Sequence, residues 1–119
     1  MRLPLVDELA AQARSHEESG FHKTAAEAWD VAADAAEETG HHVSARLLRA
    51  AARRNRAYLW LEAHGHDVPY GADLRYAVQP LTATRGRERL TFRVYPRSGP
   101  SFTLVADHRG RWRIRGSRT

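Results

Sequence analysis

Arginines that alternate with apolar residues are the first chemistry the chain offers. Arg111, Arg113 and Arg115 stand two apart, and Arg93 and Tyr95 repeat that spacing earlier. Side chains two apart on a strand leave the same face. A guanidinium fork matches a phosphate bidentately, and a tyrosine ring can stack on a base. Arg75 joins this face if a strand runs through it. Arg75, Arg93, Tyr95, Arg111, Arg113 and Arg115 are therefore the candidate nucleic-acid-binding residues. The bland alternative is a solvated outer face whose arginines guard sheet edges against pairing. No helix-turn-helix, zinc-finger or RNA-recognition signature is present, so the expectation is backbone binding with little sequence preference.

A second line follows helical spacing. Arg46, Arg49, Arg53 and Arg56 fall at i, i+3, i+7 and i+10, and Trp60 continues the line. These five are the candidate partner-binding residues. The preceding segment carries Glu27, Asp30, Asp34 and Glu37 along a line of its own. On adjacent antiparallel helices such stripes pair within one chain, each exposed pair contributing about 0.2–1 kcal/mol. If they meet between chains instead, the arginine line is a site for an acidic protein surface or the seam of a homodimer.

Other chemistries find little support. The seven histidines scatter, and His42 and His64 would bracket a helix about 33 Å long at 1.5 Å per residue. An up-down-up bundle would gather His16, His22, His64, His66 and Asp67 at one end, but loop histidines are usually caps or solvated groups. The expectation is no metal and no cofactor. Serines at 15, 19, 44, 98, 101 and 117 lack a nucleophile-elbow context, and no glycine-rich loop follows a strand. The chain reads as a binding protein and not as an enzyme.

Composition sets the frame for these residues. At 119 residues, with 42% hydrophobic and 28% charged content, the chain suits one ordinary globular domain. It has no cysteine, so thiol and disulfide chemistry are excluded. No apolar run approaches the roughly 20 residues of a membrane span, and acidic residues follow the N-terminus too soon for a signal peptide. The expected location is cytoplasmic. Residues 1–40 carry three basic against nine acidic residues, and residues 73–119 carry eleven arginines against three acids. That asymmetry points to a charged partner. Among 19 basic residues only Lys23 is lysine. This arginine and alanine bias suggests a GC-rich genome, and with the small size an accessory protein of a phage or plasmid.

The elements follow from periodicity and punctuation. A helix is predicted over residues 3–18, with Pro4 in its first turn and Gly20 at its end. The next begins at a capping box, Thr24-Ala25-Ala26-Glu27, buries Ala25, Ala28, Trp29, Ala32, Ala33 and Ala36, and closes at Gly40. The third and longest covers residues 43–64. Its apolar band, with Val43, Leu47, Ala51, Tyr58 and Leu61 on one side, is too wide for one partner. After a Pro69 and Gly71 loop the period changes to two. Strands are predicted over residues 74–81, 89–95, 101–107 and 111–115, with a loose basic connection over 82–88. The last three form an antiparallel meander, and the first has no assigned partner. Leu74, Tyr76, Val78, Leu90, Phe92, Val94, Phe102, Leu104, Trp112 and Ile114 share the inward face. Arg75, Gln79, Thr91, Arg93, Tyr95, Thr103, Arg111, Arg113 and Arg115 share the outward one. The predicted fold is α+β: three N-terminal helices (helical half 1–65) packed on a four-stranded, mainly antiparallel sheet (sheet half 73–116) in a single domain. Trp29, Leu47, Phe92 and Trp112 are expected in the core.

The helical half resembles a tetratricopeptide-type repeat. Leu9, Ala13, Gly20, Ala25, Trp29 and Ala32 meet that family's pattern of small and large residues, and Val43 would take the place of Leu9 in a second, incomplete repeat. The likeness covers about half the chain. It lacks the proline after the second helix and a full second repeat. It implies antiparallel helix pairs that present a surface to protein partners. Two functions are thus expected: nucleic-acid binding on the cationic sheet face, or protein–protein adaptation on the helical surface.

Overall fold

The computed structural model describes residues 4–81 and 88–116. Three antiparallel helices come first: α1 (Pro4–Glu18), α2 (His22–Glu38) and α3 (His42–Ala63). A 3-10 turn (Gly71–Asp73) and a one-turn helix, α4 (Leu74–Ala77), lead into β1 (Val78–Leu81), β2 (Glu88–Val94), β3 (Phe102–Asp107) and β4 (Trp112–Ile114). The sheet is an antiparallel meander in chain order, so the α+β arrangement with helices first and sheet last is the observed one. The basic connection expected over 82–88 falls almost wholly outside the described residues.

One device ends all three long helices. Gly20, Gly40 and Gly65 have φ of 84°, 77° and 80°, which only glycine adopts freely. After each, the next N–H reaches back to a carbonyl five residues earlier: Phe21 to His16, His41 to Ala36, His66 to Leu61, each at 2.9 Å. This is the Schellman closure, and it satisfies carbonyls that a helix end leaves orphaned. The first two turns share a sequence, EESGFH and EETGHH, and enter the next helix alike. Phe21 and His41 take the N-cap positions with nearly the same φ and ψ and no side-chain cap. This corrects the capping box. Helix α2 starts at His22, so Thr24 lies inside its first turn. The helix gains the earlier start because His22 is itself buried.

Helix α3 serves two cores in succession along its axis. Its first half packs Ala51 and Ala52 with Ala13, Ala25 and Trp29, and Ala45 with Val6 and Ala36. The alanine faces let the helices approach closely around one large anchor. Its second half puts Ala57, Tyr58 and Leu61 under Val78, Phe92, Val94 and Leu104 of the sheet. Val43 and Leu47 are not part of either core. They stand 73% and 69% exposed, because the sheet covers only the far half of α3. Leu47 was expected inside; Trp29 and Phe92 are, and Trp112 is half-buried beside Phe92.

The strand expected over 74–81 is also corrected. Leu74, Ala77 and Val78 are all buried, at i, i+3 and i+4, while Tyr76 is exposed. One helical turn therefore buries more apolar surface here than an extended chain would. Only Val78–Leu81 remains as strand, pairing with β2 from Val78↔Val94 to Leu81↔Thr91.

Candidate nucleic-acid interface

Register sorts the sheet face turned away from α3 into rows. Gln79, Arg93 and Thr103 are successive cross-strand partners, and Arg115 extends the row by donating its N–H to the Thr103 carbonyl at 2.9 Å. The next row runs Leu81, Thr91, Val105 and Arg113. Strand alternation puts Tyr95 on the same face beyond Arg93, where it is exposed and donates its N–H to the Ala77 carbonyl. Neither row contains a carboxylate. Asp107, the last residue of β3, lies in the pair beyond these rows, opposite Glu88 of β2.

The face is less open than alternation implies. Thr91, Thr103 and Val105 are buried, so the inner strands offer no free row of hydroxyls. Arg93 lies down across its neighbour and donates to Thr103 Oγ1 at 3.0 Å. Thr91 Oγ1 is buried without a hydrogen-bond partner. The charge is thus carried at the edge by Arg113 and Arg115 and in the middle by Arg93.

Arg111 is engaged differently. Its Nε donates to Asp107 Oδ2 at 2.9 Å, while Asp107 Oδ1 accepts the backbone N–H groups of Arg109 and Arg111. The Arg111 backbone N–H above all, with those of Arg109 and the Arg111 side chain, holds the Asp107 carboxyl below the usual range. Asp107 is therefore the staple of a basic turn. Arg75 leaves the set altogether. It sits on α4 with Nη2 3.7 Å from Glu18 Oε1, because its segment is helical.

The arginine line on α3 faces α2. Arg49 bonds Asp34 at 2.7 Å and reaches Asp30 at 3.6 Å, and Arg56 bonds Asp30 at 2.5 Å. The Asp34 hydrogen bond chiefly raises the Arg49 pKa. The stripes thus pair within one chain. Arg46, Arg49 and Arg53 line one shallow depression with Glu37 and His42. Arg53 and Arg56 line a second with Trp112 and Gly110, so the line runs from the helices to the sheet. Trp60 departs from it, half-buried at the core margin and stacked on His64 at 4.0 Å between ring centres.

Sequence spacing missed a buried polar chain at the helical end. Glu17 Oε1 accepts from Trp29 Nε1 at 3.2 Å and from Asn55 Nδ2 at 2.7 Å. Asn55 Oδ1 lies 2.7 Å from His22 Nδ1, and the Gly71 N–H donates to His22 Nε2 at 3.1 Å. A backbone N–H can only donate, so Nε2 is the acceptor and the proton sits on Nδ1. Both imidazole nitrogens are thereby occupied. Among the described residues no three metal-ligating side chains group together. The one available signal was Asn55, a helix-interior amide in a run of arginine and alanine. Compared with known proteins, the chain matches no family model, no curated protein and no solved structure.

Proposed function

We propose that the protein is a non-enzymatic binder of nucleic acid and that its outer sheet face grips the phosphate backbone. The observation that carries this reading is the pair of carboxylate-free rows bearing Arg93, Arg113 and Arg115. Tyr95, exposed on the same face, supplies a ring for an unpaired base. Arg111 adds charge at the turn, partly neutralised by Asp107. The reading places the protein in the cytoplasm, where an accessory role on a phage or plasmid would be exercised. No helix among the described residues is long and apolar enough to cross a membrane.

The test is binding to single- and double-stranded DNA and RNA across salt. Affinity should fall with a log–log slope of about −0.7 to −0.9 per phosphate contacted. Arg93→Ala with Arg113→Ala should remove about two contacts from that slope and change melting temperature little. Absence of binding even at low salt rejects the sheet reading.

A second reading is favoured by Val43 and Leu47, which are exposed on α3 near Arg46. Here the helical surface would serve as an adaptor for an acidic protein or a second copy of the chain. Sedimentation of the wild type and of Leu47→Ser separates self-association from a monomeric surface.

A further inference from the structure

The outward sheet face is divided across its strands. Its β4 side is cationic, with Arg113 opposite Val105 and Arg115 bonded to the Thr103 backbone. Arg93 leans toward that side, since its Nη1 reaches from β2 to Thr103 Oγ1 on β3 at 3.0 Å. The β1 side is uncharged. There the outward residues are Gln79, opposite Arg93, and the exposed Leu81, opposite Thr91. With neighbouring strands about 4.8 Å apart, the two sides are separated by roughly 14 Å.

Two tyrosines extend the uncharged side. Tyr95 donates its N–H to the Ala77 carbonyl at 2.8 Å, and Gln79 Nε2 donates to the Tyr76 carbonyl at 2.9 Å. These bonds seat both tyrosines at the corner where α4 becomes β1, next to Gln79. Tyr76 is 65% exposed, with the Arg75 guanidinium 5.6 Å over its ring, and Tyr95 is 45% exposed. The division matches one polymer chemistry. A single strand carries phosphates along one edge and unpaired bases along the other. A duplex carries phosphates on both edges and keeps its base faces inside the stack, so the uncharged side would gain nothing from it.

We propose that this face selects single-stranded nucleic acid. The strand lies along β2 and β3, with its phosphates toward Arg93, Arg113 and Arg115 and its bases toward Leu81, Tyr76 and Tyr95. The inference rests on the sheet-face reading and adds its substrate class. Every base has a face to stack, so sequence preference stays low.

Fluorescence anisotropy of the full chain tests it with labelled oligomers of about 12 nucleotides, within the usual span of single-strand sites. The probes are a thymidine oligomer, a uridine oligomer, an abasic deoxyribose-phosphate oligomer and a mixed-sequence DNA duplex. Thymidine or uridine oligomers should bind at least about tenfold more tightly than the duplex and the abasic oligomer, which keeps the phosphates without the bases. The tighter of the two identifies the sugar. Tyr76→Ala with Tyr95→Ala should weaken single-strand binding about tenfold or more. The salt slope and duplex binding should not change. Tyr76→Phe with Tyr95→Phe keeps the rings and should keep the affinity. Abasic or duplex binding as tight as single-strand binding overturns the inference, and leaves the sheet-face reading standing. So does single-strand binding undiminished in the alanine pair, or lost equally in the phenylalanine pair. Absence of all binding at low salt overturns both.

Discussion

Asn55 shows how much one side chain can organise. It is fully buried, and its amide is spent on both sides: Nδ2 to Glu17 and to the Ala51 carbonyl, Oδ1 to His22. Removing it leaves His22 Nδ1–H and one lone pair of Glu17 unanswered, at about 1–3 kcal/mol for each buried group left unpaired. Asn55→Ala should therefore cost more than Ala51→Gly on the same helix, where the loss is about 1 kcal/mol of helix propensity. Urea denaturation compares them, and equal effects would mean the amide is replaceable by water. Gly71, at the far end of the chain of bonds, is held equally tightly. Its φ is 68°, and a Cβ there would stand 3.1 Å from the Glu18 carbonyl oxygen. None of this was visible in spacing, because its members come from α1, α2, α3 and the turn before the sheet.

At the scale of elements, punctuation was the reliable guide. Pro4, Gly20, Gly40 and Gly65 bound the three helices within a residue or so of where they lie, because a positive φ is a local demand that glycine meets anywhere. Strand alternation told which residues of β2 through β4 share a face, but not their exposure, since Thr91, Thr103 and Val105 on the outward face are buried. It failed over residues 74–81, where Leu74 and Val78 satisfy period two and period 3.6 alike, and only packing decides between them. It failed again at Val43 and Leu47, whose apolarity says nothing about where the sheet stops. The acidic and basic stripes were readable, since i, i+3 and i+4 spacing fixes which side chains face the neighbouring helix. Their pairing carries its own prediction. Reversing Asp34 to Arg should be partly rescued by reversing Arg49 to Asp, with a coupling of about 0.2–1 kcal/mol in a double-mutant cycle. Additive effects would mean the 2.7 Å bond contributes nothing net.

For the molecule as a whole, α3 is the common member of both cores, and that makes the halves interdependent. Phe92, only 2% exposed in the sheet core, should cost about 3–5 kcal/mol when replaced by Ala. Because α3 continues from the sheet to Trp29, that loss should lower the helical half as well. Fluorescence of variants keeping only Trp29 or only Trp112 should give coincident urea transitions, with the Phe92→Ala change moving both midpoints together. Two separate transitions would show that the halves unfold independently. The charge division supports a further contrast at this scale. The acidic excess of residues 1–40 is consumed partly by the arginines of α3, while residues 73–119 carry eleven arginines against three acids.

The polar chain from Glu17 to Gly71 also bears on the order of events when the polypeptide first acquires its shape. Short turns join β2 to β3 and β3 to β4, and three-residue turns join the long helices, so much of the described structure closes over short loops. The bonds of that chain instead span 33, 38 and 49 residues. Closing long loops is entropically dearer, and such contacts are repaid only once the elements are in place. The chain should therefore be absent from the folding transition state. Asn55→Ala would then leave the refolding rate nearly unchanged and accelerate unfolding, a φ-value near zero in a chevron plot. A slowed refolding arm would instead place His22, Asn55 and Glu17 in the nucleus, with the sheet waiting on them.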